Sequence, residues 1–249
     1  MSSTTSSSCL RESVQIGISK RTDFSLHRDK VALLIIDVQR YCCNAGSTCS
    51  SSDDDHHHYD STEYYQTESL PRMMSNIERL LETFRTFRDL PSKGRNGCEV
   101  IFTAIQSLTM DGRDISLDYK LSGPFFQQLP KVNTSLDDIF LPNIRPQVEI
   151  GKGDIYIPKT ASSVFHSTNI DYVLRNLNME QLVIVGQITE QCVESAVRNA
   201  ADMGYFVTVV HDACASYSQE KHNQGLAGMS GYCRIVNPQL IMDELGSCT

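Results

Sequence analysis

The chain has 249 residues, 40% of them hydrophobic and 21% charged, with a formal charge of −8. That length favours one sizeable domain with a substantial core, and the composition excludes bulk disorder and a coiled coil. The negative charge, with no long basic run, excludes non-specific nucleic-acid binding, and no apolar run reaches the ~18 residues of a membrane span.

Nine cysteines are an odd number at irregular spacing, with no CxxC pair and no secretory apolar segment. The pattern predicts a reduced, cytoplasmic setting. The Ser- and Thr-rich start, MSSTTSSSCLRES, reads as a plain tail within a lead-in over residues 1–29, with organelle targeting as the minority alternative.

Lys30–Asp37, KVALLIID, is a continuous apolar run, the pattern of a strand buried on both faces in a parallel sheet. Asp37 at its carboxyl end is either a turn residue or an acid–base group. Residues 42–69 then lose the apolar pattern and read as a surface insertion rich in Ser, Asp and His. Asp53–Asp55 and His56–His58 invite a metal-site reading. Consecutive residues in a loop lack rigid support, so no specific metal site is expected.

Pro71–Leu90 places Ile77, Leu80, Leu81, Phe84 and Phe87 on one helical face, with Ser69 as its cap. Glu99–Ala104 is the next strand and completes a strand–helix–strand crossover. The polar stretch Gln106–Gly123 follows. It is a solvated loop with internal ion pairs, or a substrate loop whose Arg113 or Lys120 meets a carboxylate or carbonyl. Residues 130–153 read as an irregular connection.

Asp154–Pro158 is a third strand candidate ending at Lys159, which is either an exposed charge or a buried cation aimed at the cleft. Thr168 caps a helix bearing Ile170, Val173, Leu174 and Leu177 on one face. Leu182–Gly186 is another buried strand. A polar turn follows, then a helix with Cys192 in its first turns and Val193, Ala196, Val197, Ala200 and Ala201 on its apolar face. A strand at Tyr205–Val210, a helix from Ser218 through Gly228, a short strand at Arg234–Val236 and a helix at Pro238–Leu245 complete the pattern.

Six strands separated by helices predict an α/β fold, a three-layer α/β/α sandwich over residues 30–245. No strand is followed by GxGxxG or GxxxxGK[ST], so no nucleotide cradle and no cofactor are expected. In a parallel sheet, Asp37, Lys159 and Cys192 all lie along the carboxyl edge. Their chemistry is coherent. A free thiol, with a pKa of about 8.5, is mostly protonated at neutral pH; a helix N-terminus and an ammonium favour the thiolate, and a carboxylate can take the proton. The competing reading of Cys192 is a small buried core residue.

Three segments carry a resemblance to a known family: LLIIDVQ at Leu33–Gln39, PKTASSVF at Pro158–Phe165, and VGQITEQCVESAVRNAADMGYFVTVVHDACA at Val185–Ala215. In this order, from about Val31 to Val236, the chain resembles the isochorismatase-like cysteine hydrolases, which include nicotinamidases, N-carbamoylsarcosine amidohydrolases, ureidoacrylate hydrolases and biuret hydrolases. The resemblance implies an Asp37–Lys159–Cys192 triad and a six-stranded, mainly parallel sheet in the order 3-2-1-4-5-6. It implies a cis Gln187–Ile188 peptide and an oxyanion hole made by the Ile188 and Cys192 amides. It also implies self-association and a small-molecule substrate. The metal-binding Asp-x-His of nicotinamidases is missing from TAIQSLTMDG, so nicotinamide is disfavoured. What remains is a metal-free hydrolase of the C–N bond in a small amide, ureido or carbamoyl compound, working through a thioester. Gln39, Gln106, Arg113, Tyr119, Lys120 and Phe165 are candidates for the substrate pocket. An inactive binding protein and a vinyl-ether hydrolase on the same fold stay open.

Overall fold

The computed structural model describes residues 23–43, 63–89, 97–121, 124–148 and 153–247. Six strands form one sheet: β1 (Val31–Ile36), β2 (Glu99–Ile105), β3 (Ile155–Lys159), β4 (Gln181–Gln187), β5 (Phe206–Ala215) and β6 (Arg234–Val236). Every pairing is parallel and the order is β3-β2-β1-β4-β5-β6, as expected.

Alternation explains the three layers. In β1, Leu33 and Ile35 face one core with α2 (Leu70–Asp89) and the final helix at Pro238–Ser247. Ala32, Leu34 and Ile36 face the other, with the helices at Ile170–Asn176, Glu194–Asp202 and Gln219–Met229. A strand that is apolar at every position has no solvent face, so both sides must be covered. All six β1 side chains are buried.

The chain departs from the expected boundaries in two places. The helix before β2 begins early. Glu63 and Tyr64 are helical, and a π-helical turn at Tyr65–Ser69 runs into α2. Tyr65 anchors this entry, buried against Tyr217 and donating its hydroxyl to Gln187 Oε1. At the other end Arg40–Cys43 forms a short helix, α1. The ends of the supposed insertion over 42–69 are therefore structured, while residues 44–62, with both the Asp and His runs, lie outside the described residues. Residues 1–22 of the lead-in do too, but Leu26 within it is buried.

Second, β5 continues past Val210 to Ala215. Its register against β4 shifts between Ile184 and Gly186, so His211, Asp212 and Ala213 bulge while the strand resumes at Cys214. Gly186 is required there: its φ is +119°, and a Cβ would sit 2.1 Å from the Ile36 carbonyl oxygen.

Candidate active site

Order reverses at the β1/β4 boundary, where open α/β sheets leave a crevice at the carboxyl edge. Asp37 follows β1 there. Its φ is +53°, a left-handed conformation unusual for a residue with a Cβ. Both neighbouring strands hold it. Its N–H donates to the Thr103 carbonyl at 3.2 Å, Thr103 Oγ1 donates to Asp37 Oδ1 at 3.1 Å, and Gln187 Nε2 donates to the Asp37 carbonyl at 2.9 Å.

Lys159 ends β3, two strands away, and is wholly buried. Its ammonium donates to the carbonyls of Ala161 and Ser162, each at 3.0 Å, and to Cys192 Sγ at 3.4 Å. It lies 2.7 Å from Asp37 Oδ2, an oxygen on which no hydrogen-bond donor is aligned. The two form a buried ion pair whose hydrogen-bond geometry is bent. Burial pushes the ammonium towards neutrality, but Asp37 and then Cys192 outweigh it and hold the lysine pKa above its ordinary value.

Cys192 sits in a π-helical turn, Thr189–Val193, that leads into the helix Glu194–Asp202. The turn follows a cis Gln187–Ile188 peptide. It is clamped from below: Thr189 Oγ1 donates to the Ala215 carbonyl at 3.0 Å and lies 2.9 Å from His222 Nδ1. Since the hydroxyl proton is spent on Ala215, the imidazole must be the donor to Thr189. Burial pushes the Cys192 thiol up to about 11; the Lys159 charge lowers it and the Asp37 charge raises it. The resting group is therefore a thiol beside an ammonium that is itself paired with a carboxylate. That arrangement is able to pass a proton from sulfur to Asp37 as sulfur attacks an electrophile.

The candidates proposed for the pocket divide. Tyr119, on the short helix α3 (Leu117–Lys120), places its hydroxyl 3.4 Å from Cys192 Sγ. Ile188 lies at the start of the cysteine turn. Gln39 does not face the site: its amide bonds both the N–H and the carbonyl of Ile105, so the side chain extends the β1–β2 ladder past the end of β1. Gln106 is likewise occupied, donating to the Lys131 carbonyl and accepting from the Tyr156 hydroxyl. Arg113 is an exposed partner of Asp111, and Lys120 donates to the Arg113 carbonyl. Phe165 packs against Tyr205, which precedes β5 at the opposite end of the sheet from Cys192. Polarity marked Gln39, Gln106, Arg113 and Lys120 as functional, but the first two satisfy backbone and loop groups, and Arg113 and Lys120 face solvent.

The loop that carries Tyr119 is well tied. Asp114 accepts from Ser107 Oγ and the Leu108 N–H, each at 2.7 Å, and from the Thr109 hydroxyl. These bonds outweigh partial desolvation and hold its carboxyl well below the usual range. The Ser116 N–H donates to the Thr160 carbonyl, linking α3 to the end of β3. Sequence reasoning missed Thr103, Gln187 and His222, which aim the site. Only strand register, absent from local patterning, places them there. Among the described residues, no group of three or more His, Cys, Asp or Glu is placed to hold a metal ion, and no helix is long and apolar enough to cross a membrane.

Residues 31–237 match the family model for the isochorismatase domain. The ureidoacrylate amidohydrolase RutB of Agrobacterium fabrum is 35% identical over 96 residues, covering 34% of this chain and 42% of RutB. The RutB of Cronobacter sakazakii is 43% identical over 100 residues, covering 36% and 43%. The chain thus spans less than half the length of these curated relatives. A cysteine hydrolase from Pseudomonas syringae pv. phaseolicola superposes with a TM-score of 0.69 at 18% identity, over 92% of this chain and 98% of that one.

Proposed function

The chain belongs to the isochorismatase domain family, and from that membership we propose that it is a cysteine hydrolase that cleaves the C–N bond of a small amide, ureido or carbamoyl compound. The observation that carries the reading is the meeting of Cys192 Sγ, Lys159 Nζ and Asp37 Oδ2 in one buried cluster, with 3.4 Å and 2.7 Å separating successive members. The similarity to RutB, a ureidoacrylate amidohydrolase by name, favours a ureido group within that class.

In the proposed cycle the Cys192 S–H bond breaks, its proton passes to Asp37, and the sulfur forms a bond to the substrate carbonyl carbon. The Ile188 and Cys192 amides receive the oxyanion; preorganised donors of this kind commonly supply a factor of ~10²–10³ in rate. The tetrahedral adduct collapses, the C–N bond breaks, and Asp37 returns the proton to the departing nitrogen. Asp37 then takes a proton from water, which attacks the thioester and frees the thiol. Lys159 keeps its proton throughout and compensates the negative charge that moves between Asp37 and Cys192. The same reading includes a cytoplasmic, self-associating protein, the second part checked by sedimentation.

Ammonia release from a panel of ureido compounds and carboxamides, with Cys192→Ser beside the wild type, tests the activity. Release by the wild type alone, with a mass increment on the Cys192 peptide after rapid acid quench, is expected. Equal release by both proteins overturns the assignment of the nucleophile.

A further inference from the structure

Donor counting around the thiol leaves a task that the triad does not perform. An ammonium has three protons. Lys159 Nζ has four acceptors within reach: the Ala161 and Ser162 carbonyls at 3.0 Å, Cys192 Sγ at 3.4 Å and Asp37 Oδ2 at 2.7 Å. The two carbonyls belong to the turn after β3 and have fixed positions. Asp37 and the sulfur therefore compete for the third proton. Whenever that proton turns to Asp37, a thiolate at Cys192 keeps the charge of Lys159 but loses its directed bond. A buried anion without a directed donor is costly.

We propose that Tyr119 is a catalytic hydrogen-bond donor to the Cys192 sulfur, supplied from the loop between β2 and β3. The Tyr119 hydroxyl is 3.4 Å from Sγ. A thiolate can only accept, so once the sulfur is ionised the phenolic O–H is the donor of this pair; Ser162 also interacts with the phenol. Burial, followed by the negative charges of Cys192 and Asp37, keeps that proton on the phenol well above the usual tyrosine range. Tyr119 thus donates and does not exchange its proton, and the acid–base work stays with Asp37. Residues of the same segment also form the apolar patch around the ring, where Tyr119 packs beside Ile105, Ile115 and Leu129. The donor is therefore carried on a loop held by Asp114.

The proposal rests on Cys192 being the nucleophile but needs no turnover to be tested. The rate of Cys192 alkylation by iodoacetamide, followed by mass spectrometry of its peptide between pH 6.5 and 9, reads the thiolate directly. Tyr119→Phe keeps the ring and removes the donor. The thiol pKa is expected to rise by about one unit, within the range of a hydrogen bond to a charged acceptor. Thiolate falls about tenfold, and part of this is offset because a more basic thiolate is more nucleophilic, so alkylation falls about three- to fourfold. Ser162→Ala is expected to move the profile the same way by less. A Tyr119→Phe profile that superimposes on the wild type overturns the proposal; if that variant does not fold, a superimposed Ser162→Ala profile does so instead. A displaced profile in a protein that releases no ammonia from any ureido or amide compound upholds the donor role and rejects the hydrolase reading.

Discussion

Lys159 Nζ lies 2.7 Å from Asp37 Oδ2, with the two side chains 0% and 1% exposed, so the charge that assists the thiolate also restrains the base. Asp37 raises the Cys192 pKa but is also the main support of the Lys159 charge, so removing its charge acts unequally on two measurable rates. Asp37→Asn is expected to lower hydrolysis by about 10²–10⁴-fold, as loss of a general base does. Cys192 alkylation at pH 7 is expected to change far less, because the thiol is relieved of a negative charge while Lys159 loses the main support of its own charge. Equal losses in both rates would mean that the substitution only disturbs the site.

His222 gives a pH dependence whose sign follows from its surroundings. Burial, and then the charge of Arg72, push its pKa down to about 4 from an ordinary value near 6.5. Between those values the unfolded chain binds a proton that the folded one refuses, so stability falls as pH drops from about 6.5 to 4 and does not fall further on this account. The loss at pH 4.5 is on the order of 2–3 kcal/mol. Urea unfolding at pH 7 and pH 4.5 checks it: His222→Gln is expected to show a pH difference smaller by that amount. Since His222 donates to Thr189 in the cysteine turn, the variant is also expected to lose activity at pH 7.

Gly186 and Gly204 offer a controlled pair. Both have positive φ, +119° and +88°, but a Cβ at Gly186 meets the Ile36 carbonyl at 2.1 Å whereas one at Gly204 has nothing within 4 Å. Gly204→Ala carries conformational strain alone and is expected to cost about 1 kcal/mol. Gly186→Ala must push β4 away from β1 and is expected to cost more than ~4 kcal/mol, which leaves little or no folded protein. Thermal unfolding of the two variants compares them directly.

Asp154 is a structural charge with no contact to the site. Its buried carboxylate takes Arg85 and Arg88 of α2 as ion-pair partners and accepts the Gln147 N–H at 2.8 Å. Asp154→Ala leaves Arg88 with Asp89 alone and Arg85 with only the Arg145 carbonyl, and is expected to destabilise the fold by about 3 kcal/mol, while activity per folded molecule is kept. A large loss of activity per folded molecule, with unfolding unchanged, would reverse this division of roles.

Much of the fold is legible in the chain because it is written locally. A strand buried on both faces cannot alternate, and VALLII and QLVIVGQ do not; helices that cover such strands carry apolar residues at helical spacing. Asp37, Lys159 and Cys192 were legible for a related reason. Each follows or ends a recognisable strand, and parallel strands bring such ends to one edge. The motifs of the family resemblance added the order of the sheet. What local pattern could not convey was the aim of polar side chains in the loops. Gln39, Gln106, Arg113 and Lys120 have the polarity of binding groups, yet each is spent on a backbone group, a loop partner or solvent.

The sequence by itself determined the layers and the strand ends, since hydrophobic period and strand termination depend on residues only a few positions apart, and it offered Asp37, Lys159 and Cys192 as candidates at those ends. Tertiary structure alone decided which of the remaining groups serve those three. Thr103 reaches Asp37 through strand register, His222 reaches Thr189 through helix packing, and Tyr119 reaches Cys192 across 73 positions of chain through the path of a loop. A hydrogen bond requires its partners within about 3.5 Å and in line, and no periodicity in a sequence encodes a distance between residues so far apart.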